Sequence, residues 1–119
     1  MDSTLVALAD IPGFDAQAGL HNLGGRHESF VRVLKKFIAT YERGMPDMLT
    51  EQSLTGIRDA AHSLRGACLI VGAVDVAALA LDLEMDCRNG LDVARLPEAA
   101  ARLHQAVVAL VGHLSTRLA

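Results

Sequence analysis

From about Arg26 onwards, apolar residues return every three or four positions in four long stretches. That return marks one face of an α-helix, in which each residue turns by about 100°. The first stretch, about Arg26 to Glu42, places Phe30, Val33, Leu34, Phe37, Ile38 and Tyr41 on one side and Arg32, Lys35 and Lys36 on the other. The second begins near Ser53 and ends at Gly72, a natural left-handed terminator. With Leu64 at the centre of its apolar stripe, Ile57, Ala60, Ala61, Ala67, Cys68 and Val71 fall beside it. The third runs from about Val74 to Arg88, has the stripe Val76, Ala80, Leu83 and Cys87, and stops at Asn89-Gly90. The fourth starts near Pro97, a residue favoured in the first turn, and carries Leu103, Val107, Leu110, Leu114 and Leu118. Upstream, Ser3 or Thr4 is placed to cap a short turn through Leu5, Val6 and Leu8. Asp15 is a good N-cap for a short helix through Leu20 and Leu23, closed by Gly24-Gly25. Between Asp47 and Leu54 two readings stay open, a helix growing from Pro46 or a loop. No stretch alternates at strand period. The expected fold is all-α: an antiparallel up-and-down four-helix bundle with a short additional N-terminal helix, one domain over residues 1–119.

Composition narrows what such a bundle does. Apolar residues make up 51% of the chain but aromatic ones only 3%, so the core must be aliphatic. Net charge is -3, without a basic stripe or bases' usual aromatic stacking partners, which argues against nucleic acid. No apolar run approaches the ~20 residues that span a bilayer, and Met1-Asp2-Ser3-Thr4 lacks the positive start of a secretory signal. A cytoplasmic protein with no membrane insertion is expected, with Cys68 and Cys87 as free thiols in a reducing compartment. Di-metal helical bundles carry Glu-x-x-His pairs on facing helices. This chain has none, and Cys68 lies on the buried stripe, so no metal site is expected.

The chemistry concentrates on the second stretch. His62 lies roughly 160° from Leu64, on the wet face, and Gly66 follows one turn later with Leu69 projecting from the same side. Glycine inside a helix costs about 1 kcal/mol relative to alanine. Here it clears a path towards the imidazole. Arg65, three residues after His62, is within reach of a group carried on the ring, although Arg65 and Arg58 would also serve simply to solubilise the face. Leu69 and Ile70 lean outward. Leu69 fits a docking patch, whereas Ile70 either joins it or packs under the N-terminal turn. On the third stretch Glu84 sits about 40° from Ala80, at the margin of the stripe and so at the seam with a neighbouring helix. Either it pairs with Arg88, four residues on, or it accepts a hydrogen bond from one ring nitrogen of His62. The second reading would hold the tautomer and leave the other nitrogen as nucleophile, and it is favoured because the bundle brings the two helices together. His21, His27, His104 and His113 have no comparable surroundings and are assigned to the surface or its boundary.

His62, Leu64, Gly66, Gly72 and Ala73 resemble the motif of histidine-containing phosphotransfer (HPt) domains, His-x-Leu-Lys-Gly followed by Gly-Ala. Arg65 stands where lysine is usual, and Leu69-Ile70-Val71 stands where small and polar residues are common. Glu84 matches the position of a Gln or Glu on the next helix. Similarity extends to Ile11-Pro12-Gly13-Phe14-Asp15, Gly19-Leu20, Leu23-Gly24-Gly25 and the helix from Phe30 to Phe37. The resemblance implies a monomeric relay module in a two-component phosphorelay, with His62 as phosphoacceptor and Arg65 and Glu84 assisting it. Gly66, Leu69 and Arg58 would form the docking surface, with Leu64 and Gly72 as structural positions of the motif. Its partners would be response-regulator receiver domains and a hybrid sensor histidine kinase. No cofactor is implied, since the receiver would bring the divalent metal. Nothing resembles an ATP-binding loop, so the module would carry phosphoryl groups without kinase activity of its own. The alternative is a non-catalytic bundle of the same ancestry that only docks receivers or a kinase. The joint presence of His62, Arg65, Gly66 and Glu84 argues against it.

Overall fold

The computed structural model describes residues 3–118, apart from the side chain of Ser3. In chain order it contains α1 (Ser3–Leu8), α2 (Ala16–Asn22), α3 (His27–Tyr41), α4 (Pro46–Thr50), α5 (Leu54–Val71) and α6 (Val74–Arg88). A 3-10 turn at Val93–Arg95 then leads into α7 (Leu96–Leu118). Among the described residues there is no strand. The long helices α3, α5, α6 and α7 form a helical bundle: α5 packs along α6, α6 on α7, α7 on α3, and α3 on α5. Their apolar stripes meet in one aliphatic core, in which Phe30, Leu34, Ile57, Leu64, Ala80, Val107 and Leu114 are completely buried.

Local chemistry sets the helix ends. The Asp15 side chain accepts from the Ala18 N–H and starts α2. The capping role expected of Ser3 lies outside the described residues. The stretch after Pro46 combines both readings of the sequence, a single helical turn and then a short loop. Glu51 organises that loop by accepting from the backbone N–H of Gln52 and Ser53 and from the Ser53 hydroxyl. Ser53 in turn accepts from Gly56 N–H at 2.9 Å and caps α5. The 3-10 turn before α7 is an addition to the expected elements, capped by Asp92.

Two residues, Gly72 and Ala73, join α5 to α6. Gly72 has φ 93°, and its N–H and that of Ala73 both return to the Cys68 carbonyl. A side chain at Gly72 would also run into the Asp15 carbonyl. The N-terminal segment is laced to this corner. Asp15 N–H donates to the Gly72 carbonyl at 2.7 Å, Asp75 N–H to that of Gly13 at 3.1 Å, and the Asn22 amide to those of Leu69 and Ile70. The Leu69 and Ile70 carbonyls, left open in the last turn of α5, are thereby satisfied. At the other end of the chain, Arg117 donates to Asp10 and to the Ala7 carbonyl, fixing α1 against α7.

Gly72→Ala combines a left-handed backbone, costing about 1–2 kcal/mol for a residue with a Cβ, with the collision at Asp15. A fall in melting temperature of at least about 4 °C is expected in a thermal scan of the variant.

Candidate functional site

The middle of α5 and the second half of α6 face each other across the seam of the tight hairpin. His62 projects from the outer side of α5, its side chain 59% exposed, while Glu84 reaches inward from α6 with only 3% of its side chain accessible. The periodicity put Glu84 at the margin of its stripe; in the bundle it is fully covered, because α5 closes over that margin. It is the one buried charged residue among the described residues. A buried carboxylate persists only when it is well partnered.

Glu84 has those partners. Its Oε2 lies 3.0 Å from Nδ1 of His62 and 3.1 Å from an Nη of Arg88, and its Oε1 accepts from Nε of Arg65 at 3.2 Å. The alternatives of pairing with Arg88 or contacting His62 are both realised, on the same oxygen. Burial pushes the Glu84 carboxyl up. The His62 hydrogen bond, the charge of that ring when protonated and the Arg65 guanidinium overcome this and hold it below the usual glutamate range. Glu84 is therefore an ionised acceptor. An ionised carboxylate cannot donate, so the hydrogen of the His62 contact sits on Nδ1. Neutral His62 then has its lone pair on Nε2, the nitrogen not engaged by Glu84. Arg65 Nη2 is also 3.4 Å from Nδ1. With Nδ1 protonated, that approach is a juxtaposition of two donors, and the working contact of Arg65 is the one to Glu84.

Around the ring the surface is open. A Cβ placed on Gly66 would meet nothing within 4 Å, so no contact inside this chain requires glycine there. Leu69 is 52% exposed, and Ile70 at 49% is equally open, which excludes the reading that it packs under the N-terminal turn. Arg58, one turn before His62, lies beside Asp59 at 3.4 Å, also exposed. Leu81 and Met85 on α6, flanking Glu84 in sequence, are exposed as well and were not singled out by the sequence reading. The signal was present: α6 is apolar on both faces, more than a single stripe requires. Arg88 was likewise considered only as a competitor for Glu84.

The remaining residues behave as packing elements. Leu64 is completely buried and Gly72 forms the corner. Cys68 and Cys87 are free and buried, and burial pushes the Cys68 thiol up to about 12, which keeps it protonated and inert. His104 is part-buried and its Nδ1 accepts from Met45 N–H at 2.8 Å, tying α7 to the start of α4. Among the described residues, no three His, Cys, Asp or Glu side chains converge as a metal site would need, and no helix is long and apolar enough to cross a membrane.

Because the folded carboxyl of Glu84 titrates below the unfolded one, the unfolded chain binds more protons in the interval between them. The Glu84 contribution to stability is therefore complete above that interval and is lost as pH falls through it. Asp10, through the hydrogen bond from Arg117, and Glu51, through the N–H of Ser53, are lowered in the same direction. Glu84→Gln should flatten the acid limb between about pH 5 and pH 3 without abolishing it. Melting temperatures of both proteins across that range provide the check.

Comparisons with curated proteins and with solved structures return no match. Comparison with protein-family models matches residues 29–113 to the Hpt domain, an interval that contains α5, α6 and every residue of the Glu84 cluster. The chain belongs to the Hpt domain family, the helical-bundle carriers of histidine phosphotransfer in phosphorelay signalling.

Proposed function

We propose that His62 is the phosphoacceptor of this module, taking a phosphoryl group from an aspartate on one receiver domain and handing it to an aspartate on another. The scaffold of this reading is an up-and-down antiparallel four-helix bundle, to which the sequence of helix contacts around the core lends support. The observation that carries the reading is the pairing of an exposed imidazole with a buried, ionised carboxylate: Nδ1 of His62 on Glu84 at 3.0 Å. It leaves Nε2 unprotonated and directed away from its orienting partner.

The step follows from that tautomer. The Nε2 lone pair attacks phosphorus in line and forms the N–P bond. The P–O bond to the aspartyl carboxylate breaks, and its electron pair returns to that carboxylate. Nδ1 keeps its proton, so the phosphorylated ring carries a positive charge, which faces the Glu84 carboxylate. Transfer onward retraces the same path. Phosphoryl transfer asks for alignment and charge stabilisation more than for covalent machinery. Glu84 supplies the alignment and Arg65 the cation beside the ring, while the receiver brings its own divalent metal. A planar guanidinium can keep Nε on Glu84 and offer its Nη groups to phosphate oxygens, which a lysine with one nitrogen cannot. Gly66, with Leu69 and Arg58, forms the docking face. Two backbones must come close for an aspartate to reach a ring-bound phosphorus, and Gly66 leaves that gap open.

His62→Gln should keep the helical fold and lose all acceptance from a phosphorylated receiver; labelling of the variant at the normal rate would overturn the assignment. Arg65→Ala should slow transfer at least about tenfold, equivalent to about 1.4 kcal/mol of barrier. Arg65→Lys should restore only part of it. Gly66→Ala should raise the stability of the free protein by up to about 1 kcal/mol while weakening receiver binding, and Gly66→Leu should block transfer. Receiver affinity measured beside melting temperature for each variant separates docking from folding.

A further inference from the structure

Glu84 is one carboxylate held by two guanidiniums, Arg65 at 3.2 Å and Arg88 at 3.1 Å. Only Arg65 stands beside the reacting ring. Arg88 is on α6, one turn beyond Glu84, half exposed, and touches the same oxygen that receives His62 Nδ1. From the phosphotransfer reading above, we infer that Arg88 is a positioning residue that sets the charge balance of phosphohistidine through Glu84. It gives Glu84 a second cation when Arg65 also has to serve the phosphoryl group.

The inference rests on counting charges in the two states. With a neutral ring, two guanidiniums against one carboxylate leave the cluster with a single net positive charge. Phosphorylation adds a dianionic phosphoryl group and, because Nδ1 keeps its proton, a positive ring. The net gain is one negative charge, and the cluster becomes neutral. Without Arg88, the same event takes a neutral cluster to a negative one. Arg65 would then be contested between a buried carboxylate and the phosphoryl group, the circumstance in which a buried ion pair is most costly to break. With Arg88 in place, Glu84 has a cation of its own while Arg65 is shared with the phosphoryl group, and the newly charged ring strengthens its own bond to Oε2.

Simple ion pairing on the surface would give Arg88 no influence on the phosphorylation equilibrium. Charge balance predicts an ordered one. The probe is phosphoramidate with ammonia at fixed ratio: His62 takes the phosphoryl group and ammonia leaves, so the phosphorylated fraction reports an equilibrium free of receiver docking. Position 88 is exposed enough to vary without disturbing the core. Arg88→Lys should match the wild type. Arg88→Gln should lower the phosphorylated-to-free ratio about three- to tenfold, as expected for a unit charge several ångströms away in a partly screened site. Arg88→Glu should lower it further. The Glu84→Gln/Arg88→Gln pair should return it near the wild-type value. Arg102→Gln, on α7 with Glu98, serves as an unaffected control. Helical melting temperatures exclude loss of fold as the cause. If the wild type phosphorylates but the Lys, Gln and Glu variants at position 88 share its ratio, the inference is overturned. It is equally overturned if the paired variant falls below Arg88→Gln alone. If the wild type takes no phosphoryl group on His62, the functional reading fails first and takes the inference with it.

Discussion

A single ionised carboxylate inside the α5–α6 seam governs the chemistry of this molecule. Glu84 is 2% exposed, and an unpaired charge at that depth would be expelled or neutralised. The seam therefore has to bring partners to it, and three are within 3.2 Å. One of them is the ring proposed above as the phosphoryl carrier. The requirement that stabilises the fold is thus the same one that fixes the His62 tautomer, and orientation of that ring comes with closure of the hairpin.

The hairpin in turn depends on a corner that only glycine fits. Gly72 reverses the chain within two residues, and the N-terminal segment is hydrogen-bonded to that corner through Asp15, Gly13 and Asn22. Register between α5 and α6 is set there, four helical turns or fewer from the site. A slip of one residue would rotate Glu84 by about 100° and take its carboxylate out of reach of His62. Gly66 is a glycine of the opposite kind. It has φ within the helix, empty space around it and no partner in the chain, so its cost to the helix is not returned by any internal contact.

Helix stripes, the cap at Asp15, the helix start near Ser53 and the corner at Gly72 were legible in the sequence because each is a local property of one helix or one turn. The depth of Glu84 was not. Periodicity measures an angle on one helix and carries no information about how far the neighbouring helix overlaps that angle. The choice between Arg88 and His62 as partner of Glu84 was posed as exclusive for a similar reason. One oxygen with more than one lone pair serves both, and the sharing is visible only when α5 and α6 are placed together. His104 illustrates the same gap. Nothing local marks it as an acceptor for Met45, 59 residues away.

The departure from the family's usual motif at Arg65 becomes coherent when it is considered together with Glu84 and Arg88. A neutral glutamine at the orienting position would satisfy Nδ1–H through its amide oxygen, and a single lysine beside the ring would then balance the charge of a phosphorylated histidine. A carboxylate at that position adds one negative charge at the same place. Neutrality of the phosphorylated state is then regained by a further cation, and the residue that faces Glu84 from its own helix is Arg88. Lysine would also give way to arginine beside the ring under this constraint, because that residue now has two anions to serve and needs more than one nitrogen to do so. Glu84, Arg65 and Arg88 are on this view one physical unit, with each member costly in the absence of the others.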